Sequence, residues 1–251
     1  MSTSESLLLE ITNCPLVRAC KDGESTSCSK VVSEQRDLAW PDHHLPEPWN
    51  GQLESAPVLF VSSNPAIDKR ERYPTPEWPD DRRIDFFVHR FSGGRETWTR
   101  NFRTLMNSGE HDRAPRAGKY WSEIHKRAVE LLGPAARPGI DYALSEIVHC
   151  KSSANRGVDQ ASEECASRYL EPMLSASGAR VIVVIGEKAR AVFQRKFGGP
   201  PRNGSVAKVN IGGKDRMLIS LGAPGGPDPR KLSAVERLSD LEAARQLLAA
   251  P

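Results

Sequence analysis

A polar turn, Ser-Ser-Asn-Pro, follows the unbroken apolar run at positions 58–61. Four apolar residues in a row are typical of a strand that is buried on both faces of a sheet. Pro65 keeps Asn64 in an extended or turn conformation, because a proline pushes the preceding residue out of the helical region. Ligands of open α/β sheets bind at the carboxyl ends of the strands. Asn64, Ser63 and Ser62 are therefore candidate site residues, and a plain turn is the alternative.

The cysteines form two groups along the chain. The first group is Cys14, Cys20 and Cys28, and the second is Cys150 and Cys165. Thiols stay reduced in the cytosol, so grouped cysteines there indicate metal or cluster ligation more than disulfides. Five unrelated thiols are the alternative that composition leaves open.

The bulk composition limits the class of protein. A chain of 251 residues is long enough for one substantial α/β domain. The net charge is only +3, so a nucleic-acid surface has to come from local clustering of basic residues. The apolar runs are too short to span a bilayer, and the first residues lack the basic start and apolar core of a signal peptide. We therefore expect a cytoplasmic protein with no membrane partner.

Strand and helix patterns alternate along the chain. An amphipathic helix is predicted over 119–132, where apolar residues share one face. The alternation predicts a largely parallel sheet with helices on both faces. The predicted strands cover 57–62, 142–148, 180–186 and 217–221, with a further edge strand at 206–211.

Three stretches together resemble one family, the iron–sulfur branch of the uracil-DNA glycosylase superfamily. The mid-chain stretch offers a strand, a cysteine, an Asn-Arg loop, a helix with glutamate, a second cysteine and Tyr-Leu; these are Glu146–Cys150, Asn155-Arg156, Glu163, Cys165 and Tyr169-Leu170. The strand and helix from Val181 match the next elements of the family. The turn from Ser63 to Ala66 resembles the first motif of the mismatch-specific and single-strand-selective branches. The resemblance spans roughly residues 14–235.

The resemblance implies a three-layer αβα fold with a central, mostly parallel, four-stranded sheet. It implies one domain over residues 1–251, with the cysteine-bearing segment 1–50 wrapped on the core. The implied activity is that of a monofunctional DNA glycosylase in base-excision repair. Such an enzyme hydrolyses the N-glycosidic bond of uracil, or of another deaminated or damaged base, after the base flips out of DNA. We expect a monomer associated with the nucleoid.

In the family, a residue of the first turn positions the water that attacks the sugar. Asn64 takes this role here, helped by Ser63 and the backbone around Ser62, because an amide oxygen can accept a hydrogen bond from water. A flipped base also needs an aromatic partner for stacking. Tyr73 is the first choice and Phe87 another, with Trp78 as a third candidate; plain packing is the alternative for each.

Glu146 departs from the family pattern, which places an asparagine against the uracil edge. A carboxylate cannot donate a hydrogen bond to a carbonyl, so Glu146 fits uracil poorly unless it is protonated. It could instead accept from an exocyclic amine or a ring N–H. The identity of the excised base is therefore left open. The alternative role for Glu146 is an ion pair with a nearby arginine.

The loop at 222–227 is the second departure. The family has His-Pro-Ser in this place, where the histidine stabilises charge on the departing base, and this chain has no histidine there. Backbone N–H groups or another side chain would have to supply that stabilisation. Pro224 and Gly225 are predicted to wedge into the DNA minor groove, with Arg230 on a phosphate.

The comparison also suggests a cofactor. A [4Fe–4S] cluster takes four thiolates, which the resemblance assigns to Cys20, Cys28, Cys150 and Cys165. Cys14 is the rival for an N-terminal position, because the family's usual spacing is missing. Zinc on the same sulfur atoms is the alternative metal.

Two other functions stay open from the sequence. The missing histidine and the change at Glu146 fit a protein that binds DNA or damaged bases with weakened catalysis. The strand–helix pattern alone also fits a nucleotide-handling α/β enzyme outside DNA repair.

Overall fold

The computed structural model describes residues 2–112, 117–200, 202–224, 232 and 238–249. Its α-helices are α1 (Thr3–Thr12), α2 (Pro15–Lys21), α3 (Ser29–Val32), α4 (Asp80–His89), α5 (Ala117–Leu132), α6 (Val158–Cys165), α7 (Glu171–Ala176), α8 (Glu187–Phe197) and α9 (Leu238–Ala249). Its strands are β1 (Trp49–Asn50), β2 (Val58–Ser62), β3 (Thr99–Arg100), β4 (Arg103–Leu105), β5 (His111–Asp112), β6 (Tyr142–Glu146), β7 (Val181–Ile185), β8 (Val206–Ile211) and β9 (Lys214–Leu221).

The main sheet has six strands in the order β1-β6-β2-β7-β9-β8 within the described residues. The four inner strands are parallel, and β1 and β8 pair antiparallel at the two edges. The α/β class and the edge strand at 206–211 are as predicted. The count of four strands is wrong, because it leaves out the two edge strands that flank the parallel core.

Helices cover both faces of this sheet, because side chains alternate along each buried strand. Leu59 and Val61 of β2 point into one apolar cluster, which also holds residues of α1, α6, α7 and α8. Val58 and Phe60 point into a second cluster, which holds residues of α5 and α9. Ile124 of α5 lies in this second cluster, as its predicted amphipathic face requires. No helix in the described ranges is long and apolar enough to cross a bilayer.

A small second sheet was not predicted. Strands β3, β4 and β5 form it in that order, all antiparallel. The backbone of residues 70–72 holds this sheet in place: Arg72 donates to the Leu105 carbonyl at 2.9 Å, and Asn107 donates to the Arg70 carbonyl at 2.8 Å. The small sheet therefore lies against the segment that follows β2.

Candidate functional site

The carboxyl ends of β2 and β6 bring the predicted residues together. The two strands are parallel neighbours, and their register sets Ser62 directly beside Glu146. The two following loops run side by side, since Val148 donates to the Ser63 carbonyl at 2.9 Å and Ser152 to the Pro65 carbonyl at 3.0 Å. Backbone hydrogen bonds thus fix the polar turn against the loop that carries the mid-chain motif.

A cavity of about 310 Å³ opens at this edge of the sheet. Such a volume lies at the low end of ligand pockets, which run from about 300 to 1,000 Å³. Its walls combine two polar turns, a buried charge cluster and the first turn of α5. The lining residues are Glu47, Ser62, Asn64, Pro65, Ala66, Glu71, Arg90, Lys119, Tyr120, Trp121, Glu146, Lys151 and Pro224.

The Asn64 side chain is oriented by its amide nitrogen. Nδ2 donates to the Pro65 carbonyl at 3.0 Å and to Ser152 Oγ at 2.9 Å. Both amide hydrogens are therefore used inside the protein. The carbonyl oxygen Oδ1 is the end left to accept a hydrogen bond, with only a long contact of 3.4 Å from Ser63 Oγ.

Glu146 lies at the cavity wall and is only 7% exposed. Ser62 Oγ donates to its Oε2. Burial raises the pKa of Glu146 to about 8, and the hydrogen bond from Ser62, with a smaller contribution from the Lys151 cation, offsets only part of this effect. The side chain is therefore a neutral carboxylic acid at neutral pH. It makes no ion pair with a described arginine, which is the partner that the alternative interpretation required.

A charge cluster of four ionic side chains forms the floor of the cavity. Arg90 lies 3.0 Å from Glu47 Oε2 and from Asn50 Oδ1, and its second nitrogen donates to Glu71. Lys151 Nζ lies 3.0 Å from Glu71 Oε2 and 3.6 Å from Glu47 Oε2. All four are buried, so each charge needs the others as partners.

The same cluster explains why the pKa values of Glu47 and Glu146, two of the three glutamates that line the cavity, differ so much. Burial by itself would raise the pKa of Glu47, yet Arg90 and Lys151 beside it hold that pKa at about 2. Those cations are engaged by Glu47 and Glu71. Glu146 has only a hydroxyl partner and keeps its proton.

The aromatic residues chosen from the sequence do not line the cavity. Tyr73 is 2% exposed; His44 stacks on its ring at 5.0 Å, and Lys151 Nζ lies 3.5 Å from the ring centroid. Neither side is open to a base. Phe87 is fully buried and packs edge-on against Tyr73. Trp78 packs against the ring of Trp98.

Trp121 and Tyr120 are the aromatic residues that do line the cavity. The edge of Phe91 packs against the Trp121 ring, and the Arg90 guanidinium lies 4.7 Å from its centroid. Burial, and then the neighbouring Glu146, raise the pKa of Tyr120. Pro224 also lines the cavity, and its predicted insertion into the DNA minor groove stays a prediction. Gly225 and Arg230 lie outside the described residues.

Four of the five cysteines line one small hollow: Cys14, Cys28, Cys150 and Cys165. Cys20 is not among them; its sulfur contacts Thr26 Oγ1 at 3.0 Å and Ser29 Oγ at 3.7 Å. The thiols that meet at the hollow thus differ at one position from the ligand set that the resemblance implies, because Cys14 is present and Cys20 is not. The physical reason is that Cys14 precedes α2 at the hollow, while Cys20 in the last turn of α2 faces the loop before α3.

The hollow fits a four-thiolate centre by its donors, because thiols from two distant chain segments surround it. Burial raises the pKa of the Cys28 thiol to about 11 and that of Cys165 to about 12. A bound cation would have to hold these groups as thiolates at neutral pH. Among the described residues, no three His, Cys, Asp or Glu side chains are arranged to hold a single metal ion.

Sequence reasoning missed several residues of the cavity. Of these residues, Lys151 is the one that the sequence could have indicated as a site residue, because it follows Cys150 directly, just after a predicted strand. Trp121 belongs to the apolar face of α5 and packs in the cluster under that helix, and it also lines the cavity. Glu47, Glu71 and Arg90 carry no motif and come from three separate segments.

No protein-family model matches this sequence, and no curated protein matches it either.

Proposed function

We propose that this protein is a DNA glycosylase that hydrolyses the N-glycosidic bond of a deaminated base flipped into the cavity. The observation that carries the proposal is the shared position of Asn64 and Glu146 at the carboxyl ends of two adjacent parallel strands, facing one cavity. Chemistry on a base requires extrusion of that base into such a pocket. The proposal includes the finer fold assignment, a three-layer αβα fold of the uracil-DNA glycosylase type.

Asn64 positions the attacking water. Its nitrogen is held by Pro65 and Ser152, so Oδ1 is preorganised as an acceptor toward the cavity and does not have to reorient during the reaction. The amide is not a strong base. The reaction therefore relies on charge developing on the sugar and on the base rather than on proton removal from the water.

Glu146 reads the base edge as a neutral acid. A protonated carboxyl carries one O–H donor and one carbonyl acceptor, the same pair of functions as an amide. Such a group matches the adjacent N–H and C=O of uracil, hypoxanthine or xanthine. Ser62 fixes Oε2 by its hydrogen bond. At neutral pH the protonated glutamate therefore offers the base the same donor and acceptor as the asparagine that the family has at this position.

Tyr120 supplies the stacking surface, because it is the aromatic side chain of the cavity lining that is partly exposed and can contact the face of the flipped base. The departing base carries negative charge, and the cations at the cavity are Lys119, Lys151 and Arg90, of which Lys119 has no carboxylate partner among the described residues. They replace the electrostatic role of the histidine that the loop at 222–227 lacks. The thiol hollow would hold a [4Fe–4S] cluster that pins the N-terminal segment to the loop after β6.

The test is release of free base from oligonucleotides that contain uracil, hypoxanthine, xanthine or ethenocytosine, in single and double strands. We expect release from at least one oxo-base substrate, and at least a roughly 100-fold slower release for Asn64→Ala. Asn210→Ala is the matched control, since Asn210 is exposed on the edge strand β8. Melting temperatures of both variants show that folding is intact.

Absence of base release from every oligonucleotide, with tight binding to one of them, would instead favour the binding protein without catalysis. An Asn64→Ala variant that releases base at the wild-type rate would remove Asn64 from the mechanism.

A further inference from the structure

The turn of the β3–β4 hairpin has unusual residue types for its backbone conformation. Asn101 and Phe102 join the strands, and both have positive φ, 50° and 58°. A two-residue hairpin turn with positive φ at both positions is the type I′ turn, which favours Asn-Gly. Phenylalanine is a rare occupant of the glycine position, because a bulky side chain is strained in the left-handed region. Strain of this kind concentrates at functional sites.

The hairpin also places two like charges opposite each other. Arg100 and Arg103 are direct cross-strand partners beside the turn, and both are exposed. Neither side chain makes an ion pair or hydrogen bond with a described residue. Like charges directly opposite destabilise a strand pair. The acidic residues of this sheet are Asp112 in β5 and Glu110 just before it. Strand β5 pairs with β4 on the side away from β3.

The Phe102 ring packs the hairpin tip against α5, the helix whose first turn lines the cavity. Its centroid lies 5.4 Å from that of His125 on α5, and the ring packs against the apolar cluster under that helix. His125 is four residues after Trp121, so both lie on the same side of α5. Trp121 lines the cavity, as does the exposed Lys119 two residues earlier.

We propose that the β3–β4 hairpin is a DNA-binding element, in which Arg100 and Arg103 contact the phosphate backbone alongside α5. Phe102 is a positioning residue that holds the two guanidinium groups there through its packing on α5. A polyanion explains why two unpaired arginines face each other on a strained turn, because phosphates neutralise both charges. The inference rests on the proposed function only in taking DNA as the partner.

The test uses the full chain and an undamaged fluorescein-labelled DNA duplex, with binding followed by fluorescence anisotropy between about 50 and 200 mM salt. Each lost phosphate contact lowers the slope of log K against log salt by about 0.9. We expect the double variant Arg100→Ala, Arg103→Ala to lose about 1.8 from the slope, and Arg103→Ala about half of that. Lys208→Ala is the matched control, because Lys208 is an exposed strand residue at the far edge of the main sheet.

An unchanged slope in the double variant, or an equal loss in Lys208→Ala, would overturn the inference. Tighter binding to an RNA duplex with the same arginine dependence would overturn it too, since the partner would then be RNA. The duplex carries no damage, so the result does not depend on base release. A slope change without any base release supports the hairpin and counts against the glycosylase; base release with an unchanged slope does the reverse.

Discussion

Glu146 is one of the buried residues whose protonation links stability to pH. Its folded pKa is raised to about 8 by burial, from an ordinary value of 4.5. Between these values the folded protein keeps a proton that the unfolded chain releases. The contribution of Glu146 to the free energy of unfolding therefore falls as pH rises from about 4.5 to 8, and below about 4.5 this contribution no longer changes with pH.

We expect Glu146→Gln to flatten this dependence. The amide keeps the donor and acceptor pattern but cannot ionise, so the wild type should lose melting temperature relative to the variant from pH 5 to pH 9. Base release on an oxo-base substrate should fall in the wild type above about pH 8, when the donor is lost, and persist in the variant. Parallel melting curves and parallel pH–rate profiles would show that Glu146 is already ionised at neutral pH.

At the scale of the element, the β3–β4 hairpin combines a strained turn with an anchored ring. Phe102→Gly relieves the left-handed strain, worth about 1 to 3 kcal/mol, and removes a half-buried ring, which costs a similar amount. We expect the melting temperature to change little while the DNA affinity falls toward that of the double arginine variant. Phe102→Tyr keeps the ring and should bind DNA as the wild type does.

Anisotropy titration and thermal melting of the two Phe102 variants separate these contributions. A large loss of melting temperature with unchanged DNA affinity would make Phe102 a packing residue and nothing more.

At the scale of the whole molecule, the thiol hollow joins distant parts of the chain. Cys14 and Cys28 come from the N-terminal segment, and Cys150 and Cys165 from the loop and helix after β6. A cluster bound by all four would contribute to the stability of the fold, because the unfolded chain has no preformed site.

We expect the purified protein to be brown, with about four iron atoms per chain. Cys14→Ser should lose most of the iron and lower the melting temperature, whereas Cys20→Ser should keep both. Iron and acid-labile sulfide analysis, with zinc measured in the same samples, gives the answer. Iron retained in Cys14→Ser and lost in Cys20→Ser would restore the set with Cys20 as a ligand.

The strands of the parallel core could be predicted because burial on both faces leaves an unbroken apolar run, as in Val181–Ile185. The edge strand β1 could not, because two residues carry no period. The turn that holds Asn101 and Phe102 has no glycine to mark it, and its register depends on contacts with residues 70–72 and with α5.

The sequence by itself determined that Asn64 and Glu146 share an edge, since the carboxyl ends of parallel strands meet there. Only the tertiary structure decided what surrounds them. Tyr73 is an aromatic residue in a polar loop by sequence, yet its ring is enclosed by His44 and Lys151. The charge cluster and the choice of Cys14 over Cys20 depend on segments far apart in the chain, and no local pattern reports which of their side chains meet.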